Sequence, residues 1–216
     1  MNKKYPRTWH LFFSKGATDD DKIAKDISGI LNVPIVISEK LDGGCSDLNS
    51  NGLFARTHVG PPTHKSFDWL KAFHTNTKHL IPSHLQIFGE NMYALHSIAY
   101  DKLPSYFLVF NIRDTEKNLW LSWDEVEEWA KKIGAPTVPV LFRGTIKNEK
   151  ELQEIVEKLC SDPSEYGTTR EGVVIRLSGK FSDKDFSRYV LKAVRAGHVQ
   201  TDSHWSRKKI VKNKLK

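Results

Sequence analysis

A chain of 216 residues with 33 Lys and Arg against 26 Asp and Glu, a formal net charge of +7 and a pI near 9.3 suits one domain that meets a polyanion. Its two cysteines, Cys45 and Cys160, are too few for a disulfide framework and lack metal-ligand spacing. No apolar run approaches the roughly 20 residues of a membrane span, and Met1-Asn2-Lys3-Lys4-Tyr5-Pro6 lacks the apolar stretch of a signal peptide, so a cytoplasmic, membrane-free setting is expected.

The chain begins irregularly. Thr18-Asp19-Asp20-Asp21 offers several caps for a short helix over Lys22 to Leu31, and the acidic run is read as capping, not as a metal site. Val33 to Ser38 is predicted as a strand that delivers Lys40 to a turn of Asp42, Gly43 and Gly44. A second hairpin pivots at Asn49-Ser50-Asn51-Gly52 and leads to Leu53-Phe54-Ala55-Arg56. Ser66 to Asn76 is predicted helical, with Phe67, Leu70 and Phe73 on one face.

Leu85 to Phe88 is predicted as a strand entering Gly89-Glu90, and the uniformly apolar Tyr106 to Phe110 as a central strand. Ser122 and Glu125 form a capping box for a helix from Trp123 to Ile133, stopped by Gly134 and Pro136. A strand over Val138 to Phe142 and a helix from Asn148 to about Cys160 follow, then strands over Gly172 to Leu177 and Arg188 to Val194. Strands dominate and helices alternate irregularly, which favours α+β with mainly antiparallel sheets. Neither a GxGxxG nor a P-loop pattern occurs, so a nucleotide would be held by side chains. The five histidines from His58 to His84 have no zinc spacing and are read as surface or phosphate-proximal groups. Trp120, Trp123 and Trp129 are read as core, and Cys45 as a small filler.

Four charged residues abut strands that read as core: Lys40, Glu90, Glu171 and Lys192. A charge so placed needs a partner or a purpose. The plain alternatives are an Asp-Gly hairpin turn at Lys40 and an aggregation-blocking edge lysine at Lys192. Together the four suit nucleotidyl transfer. Lys40, once its amine is neutral, attacks an α-phosphate and pyrophosphate leaves. Lys192 offsets phosphate charge and depresses the Lys40 pKa. Glu171 holds Mg²⁺, a hard ion that prefers oxygen. Glu90 accepts from a ribose hydroxyl, and Phe110 stacks on the base.

These segments resemble the covalent nucleotidyltransferases, and among them the ATP-dependent RNA ligases. Lys40-Leu41-Asp42-Gly43 resembles the nucleophile motif. Phe88-Gly89-Glu90 resembles the third motif and Phe107 to Ile112 its companion strand, while Glu171 to Ile175 and Leu191 to Val194 resemble the fourth and fifth. Gly89 to Ile98 and His198 to Trp205 resemble longer phrases of one RNA-ligase subgroup.

The resemblance implies an α+β, antiparallel-sheet adenylation domain of the ligase type. It implies a Lys40–AMP intermediate, with AMP passed to a 5′-phosphate RNA end that is then sealed to a 3′-hydroxyl. It implies catalytic roles for Lys40, Lys192 and Glu171, with Glu171 on the metal. Glu39, Lys40, Arg56, Glu90, Phe110 and Lys192 would line the ATP, with Mg²⁺ or Mn²⁺ as the ion. Asn111 stands where many relatives carry Asp, and Arg195 is offset from the usual second cation. Only 24 residues follow Lys192, so no OB domain is expected. The expected division is an adenylation domain over 1–206 and a basic tail over 207–216. Six of the ten tail residues are basic; the plain alternative is a solvated charge run, and the expectation is a tail that contacts polynucleotide phosphates and whose removal leaves reaction with ATP largely unchanged. A minimal DNA nick ligase and a non-catalytic nucleic-acid-binding module are the competing functions.

Overall fold

In the computed structural model, which describes residues 3–57, 60–197 and 210–216, two β-sheets meet at the lysine turn. In chain order the elements are β1 (Trp9–His10), β2 (Pro34–Lys40), β3 (Gly44–Asn49), β4 (Gly52–Ala55), α1 (Asp68–Thr77), β5 (Leu85–Asn91), β6 (Phe107–Asp114), β7 (Leu119–Trp120), α2 (Trp123–Lys132), β8 (Val140–Thr145), α3 (Glu149–Ser161), β9 (Gly172–Leu177), β10 (Phe181–Ser182), α4 (Phe186–Tyr189) and β11 (Val190–Val194).

The first sheet has the order β1-β11-β9-β2-β8 and the second β10-β7-β6-β5-β3-β4. Every neighbouring pair is antiparallel except β1 with β11. The fold is α+β, as the irregular alternation of elements predicted. Leu41, Asp42 and Gly43 carry the chain from β2 in one sheet to β3 in the other, so Lys40 stands where the sheets diverge.

Burial explains the strand order. Ile35, Val36 and Ile37 are fully buried in succession, so β2 is covered on both faces and lies between β9 and β8. Ile35 and Ile37 join Leu152 and Val156 of α3 in one core, whereas Val36 joins the core under the second sheet. A third cluster of Phe88, Trp120, Phe181, Phe186 and Val190 is mainly aromatic, with Phe110 and Val174 packed against it. Capping is local and follows the sequence: Ser122 and Glu125 close the box on α2, and Asn148 accepts the Glu151 N–H at the start of α3. Trp120 and Trp123 are buried core, with Trp129 packed partly against it.

Two expectations change. Lys22 to Leu31 is not an α-helix and contains only a 3-10 turn at Ser28–Ile30. His10 instead donates to the Lys22 carbonyl at 2.8 Å and accepts from the Ala24 N–H at 2.8 Å, so this stretch is held extended against β1. The strand expected from Arg188 starts at Val190, because Phe186–Tyr189 closes a helical turn first. Residues 210–216 are bonded to the fold through their backbone, while their lysines are exposed: Leu95 donates to the Val211 carbonyl and Leu103 to the Lys214 carbonyl, at 2.8 and 3.0 Å. The expectations for His198, His204, Trp205 and Arg207 to Lys209 lie outside the described residues. No helix among the described residues is long and apolar enough to cross a membrane.

Candidate active site

Strand register assembles the centre. β2 and β9 pair with Lys40 opposite Gly172, which brings the preceding Glu171 beside the lysine. The Lys40 ammonium donates to both Glu171 carboxylate oxygens at 2.7 Å. Gly172 has to be glycine here, since an added Cβ would run into the Ala193 carbonyl of β11. Gly43 is confined in the same way: a Cβ would lie 2.7 Å from the Asn91 carbonyl oxygen and 2.7 Å from the Met92 sulfur.

Burial presses the Lys40 ammonium towards neutrality, but Glu171, Glu90 and the direct hydrogen bonds outweigh it and hold its pKa above the ordinary lysine value. This corrects the expectation of a depressed Lys40. The Glu171 carboxylate stabilises its proton.

Lys192 lies on β11 opposite Val174, on the far side of β9 from β2. Its pKa is lowered, first by burial and then by repulsion from Lys40, with Asp21 and Glu171 opposing. The repulsion expected to act on Lys40 thus registers on Lys192. The Lys192 carboxylate partner is Asp21, 3.9 Å from the ammonium. Asp21 is also 3.3 Å from His10 Nε2, and accepts from the Thr18 N–H and hydroxyl at 3.2 and 3.1 Å. Burial raises its pKa, but Thr18, His10 and Lys192 prevail and bring it down to about 2. The parallel pairing of β1 with β11 sets His10 beside Lys192 and so brings this segment to the cleft. Sequence reasoning read Asp21 only as a helix cap; the local signal, an acidic run after Thr18, is the same for both roles.

Glu90 pairs with Cys45 across β5 and β3. Burial drives its pKa up to about 8, with Lys40 opposing and Glu171 adding to the rise. Arg56 is exposed, at the rim, where its charge acts on both Glu90 and Lys192. Phe110 meets the Tyr5 ring edge-on at 5.0 Å. Asn111 is buried; it donates to the Tyr5 hydroxyl at 3.2 Å and accepts from Arg176 at 2.7 Å, so it braces the N-terminal segment and contributes no second carboxylate.

Two residues depart from their expected neighbourhood. Glu39 was expected to line the nucleotide. Its side chain takes the opposite strand face from Lys40, as period-two alternation requires, where it accepts from the Glu165 N–H at 3.0 Å and lies 3.6 Å from Arg170. Arg195 lines a small cavity with Phe13, Val156 and Cys160 on the side of Ala193, away from Lys192. His74, expected to be a surface or phosphate-proximal group, is buried with Nε2 2.8 Å from the Asn49 carbonyl oxygen.

Among the described residues no group of three or more His, Cys, Asp or Glu side chains is arranged to hold a metal ion. Glu171, a buried carboxylate already neutralised by a cation, nonetheless suits Mg²⁺ or Mn²⁺, since such an ion needs only one or two carboxylates when phosphates and waters complete its shell.

A family model described as RNA ligase matches residues 33–194. Among solved structures, a variant of the Naegleria gruberi RNA ligase with ATP and Mn superposes with a TM-score of 0.59 at 17% identity, covering 81% of this chain and 53% of that one. A lysine-to-methionine variant with AMP and Mn gives 0.57 at 18%, covering 78% and 52%. The same ligase with pyrophosphate gives 0.57 at 18%, covering 90% and 61%. The chain thus spans between half and two thirds of the Naegleria chains it matches. No curated protein sequence matches it.

Proposed function

The chain belongs to the RNA ligase family, and from that premise we propose that it is an ATP-dependent RNA ligase acting through a covalent lysyl–AMP. The observation that carries the reading is the Lys40–Glu171 pair at the sheet crossing, with Lys192, Glu90 and Arg56 within electrostatic reach. Neighbours of this fold with ATP, AMP or pyrophosphate support it further.

Lys40 must lose its proton before its amine is a nucleophile. Glu171 would hold a divalent cation, which would supply positive charge to the phosphate oxygens. Burial favours the neutral Lys40 amine and Glu171, Glu90 and Asp42 oppose it, so weakening the Glu171 contact moves the balance towards the nucleophilic form. Its nitrogen then bonds to the α-phosphorus, the bond from that phosphorus to the bridging oxygen breaks, and pyrophosphate departs. Lys192 and Arg56 offset charge on the leaving phosphates. Phe110 offers a face for the base and Glu90 an acceptor or donor for the ribose. AMP next passes from Lys40 to a 5′-phosphate RNA end, and a 3′-hydroxyl displaces it to seal the strand. The two unpaired cysteines suit a cytoplasmic setting.

The test is incubation with labelled ATP or GTP and Mg²⁺, a denaturing gel, then addition of 5′-phosphorylated single-stranded RNA and, in parallel, nicked duplex DNA. Label on the protein from ATP, chased into joined RNA, is expected. Joining of DNA alone would favour the nick-ligase reading. Absence of any label would leave a nucleic-acid-binding module.

A further inference from the structure

The C-terminal segment reaches the nucleophile turn through one loop. Residues 92–100 have little regular structure, so bonds to neighbours set their shape. On one side the loop grips the turn. Ser97 and Ile98 donate to the Asp42 carboxylate at 2.7 and 2.9 Å, and Asp42 returns its own N–H to the Tyr100 hydroxyl at 2.9 Å. Asp42 is two residues from Lys40, and Leu41 between them is buried.

On its other side the loop is tied by Asn213, which is 2% exposed. The Asn213 side chain accepts from the Tyr100 N–H at 3.0 Å and donates to the Met92 and Ala94 carbonyls at 2.9 and 3.3 Å. Its backbone donates to the Tyr93 carbonyl at 3.1 Å, and Lys214 donates to that of Tyr100 at 2.9 Å. One side chain therefore joins both ends of the loop that holds the lysine turn. Of the exposed lysines around it, Lys212 lies 4.9 Å over the Tyr93 ring of the loop, whereas Lys214 meets the loop through its backbone.

We propose that residues 210–216 are a positioning element for adenylylation, with Asn213 as the residue that sets the loop against Asp42 and thereby the Lys40 amine against the α-phosphate. This deepens the ligase reading and rests on it. Placement is where such a reaction is sensitive: a shift of about 1 Å costs on the order of 10²-fold. The segment then serves the step with ATP, and its basic charge is incidental to that step.

The test uses the full chain and separates the first step from the last. Asn213→Ala should lower the rate of AMP transfer to Lys40 at saturating ATP by roughly 10- to 100-fold. The ATP KM should stay near that of the wild type. Sealing of RNA supplied already adenylylated should change far less, because that step does not use the Lys40 amine. Tyr100→Phe removes only the hydroxyl that Asp42 reaches. It should reproduce the defect, and the double variant should be no worse than the more severe single. Lys214→Ala with Lys216→Ala, which removes charge and leaves the backbone bonds, should adenylylate normally. Equal labelling of wild type, Asn213→Ala and Tyr100→Phe overturns the proposal, as does an equal fall in both steps that tracks thermal stability. If Asn213→Ala fails to fold, Tyr100→Phe decides alone by the same ratio of steps. An unlabelled wild type would overturn the ligase reading and this proposal with it, whereas a labelled wild type and an equally labelled Asn213→Ala overturn this proposal only.

Discussion

Lys40 and Lys192 are the same side chain on two strands that flank β9, and the Lys40 charge acts on Lys192. Lys40 meets its carboxylate at 2.7 Å through both oxygens, from a buried Glu171. Lys192 meets Asp21 at 3.9 Å through one. The first is held above the ordinary lysine pKa and the second below it, although burial pushes both down. The distance to a carboxylate, more than burial, decides which lysine is the firmly charged one. The difference also suits their proposed tasks. The proposed nucleophile is held charged by Glu171, hence unreactive until that contact is weakened. The phosphate-binding lysine is only loosely engaged and open to a new anion.

The most severe way to break this comparison is to remove the nucleophile. Lys40→Ala should abolish label transfer from ATP while circular dichroism stays native. Lys40→Arg should do the same, since a guanidinium stays protonated. Label on either variant would exclude Lys40 from the chemistry.

Glu171→Gln tests the tight pair. Loss of its charge should slow adenylylation by about 10²-fold or more. It should also let the Lys40 pKa fall, because burial then acts with less opposition. The acid limb of the pH–rate profile should therefore move to lower pH even as the maximum drops. An unmoved limb would show that Glu171 does not govern the Lys40 proton.

Asp21→Asn tests the loose pair. Lys192 is faced by Asp21, Lys40, Glu171, Arg56 and the neighbouring His10, and Asp21 is among the groups that favour its charge. Its loss should lower adenylylation by roughly 2- to 5-fold, the scale of a partly exposed ion pair. The alkaline limb of the profile should shift to lower pH, because Lys192 loses its proton sooner. Stability should respond at acid pH as well. The Asp21 pKa of about 2 lies below its unfolded value, so its contribution is present above pH 4 and lost as the pH falls towards 2. The variant should have a shallower acid-unfolding curve in that window, and an unchanged curve would count against the brace.

The smallest effect is expected at Glu90. Its folded-state pKa of about 8 lies above the unfolded value near 4.3, so the unfolded chain loses this proton first and stability declines as the pH rises between the two. Glu90→Gln removes that decline. The variant should melt a few degrees above the wild type at pH 8 and match it at pH 4, while binding ATP more weakly. Identical melting shifts at both pH values would mean that Glu90 is not protonated in the folded site.

What could be read from the chain alone was local. Hairpin turns, the capping box at Ser122, the Asn148 cap and the apolar strands all depend on residues a few positions apart, whose energies do not await the rest of the fold. Strand alternation turns Glu39 to the far face, against the place beside ATP that the motif resemblance implied for it. Lys40 and Glu171 are 131 residues apart, and only the ordered motifs linked them. Tertiary structure alone decided the rest. Thr18 to Leu31 carries helix-start signals, yet β1 captures Lys22 to Ala24 through backbone hydrogen bonds, and helix propensity, worth tenths of a kcal/mol per residue, yields to them. Asp21 reaches Lys192 only because β1 runs beside β11. Asn213 ties a loop 121 residues away, through bonds that a charge pattern in the tail gave no reason to expect. Spacing along the chain is enough where an interaction closes within a turn or a strand pair, but where it closes between sheets, register and packing choose the partner.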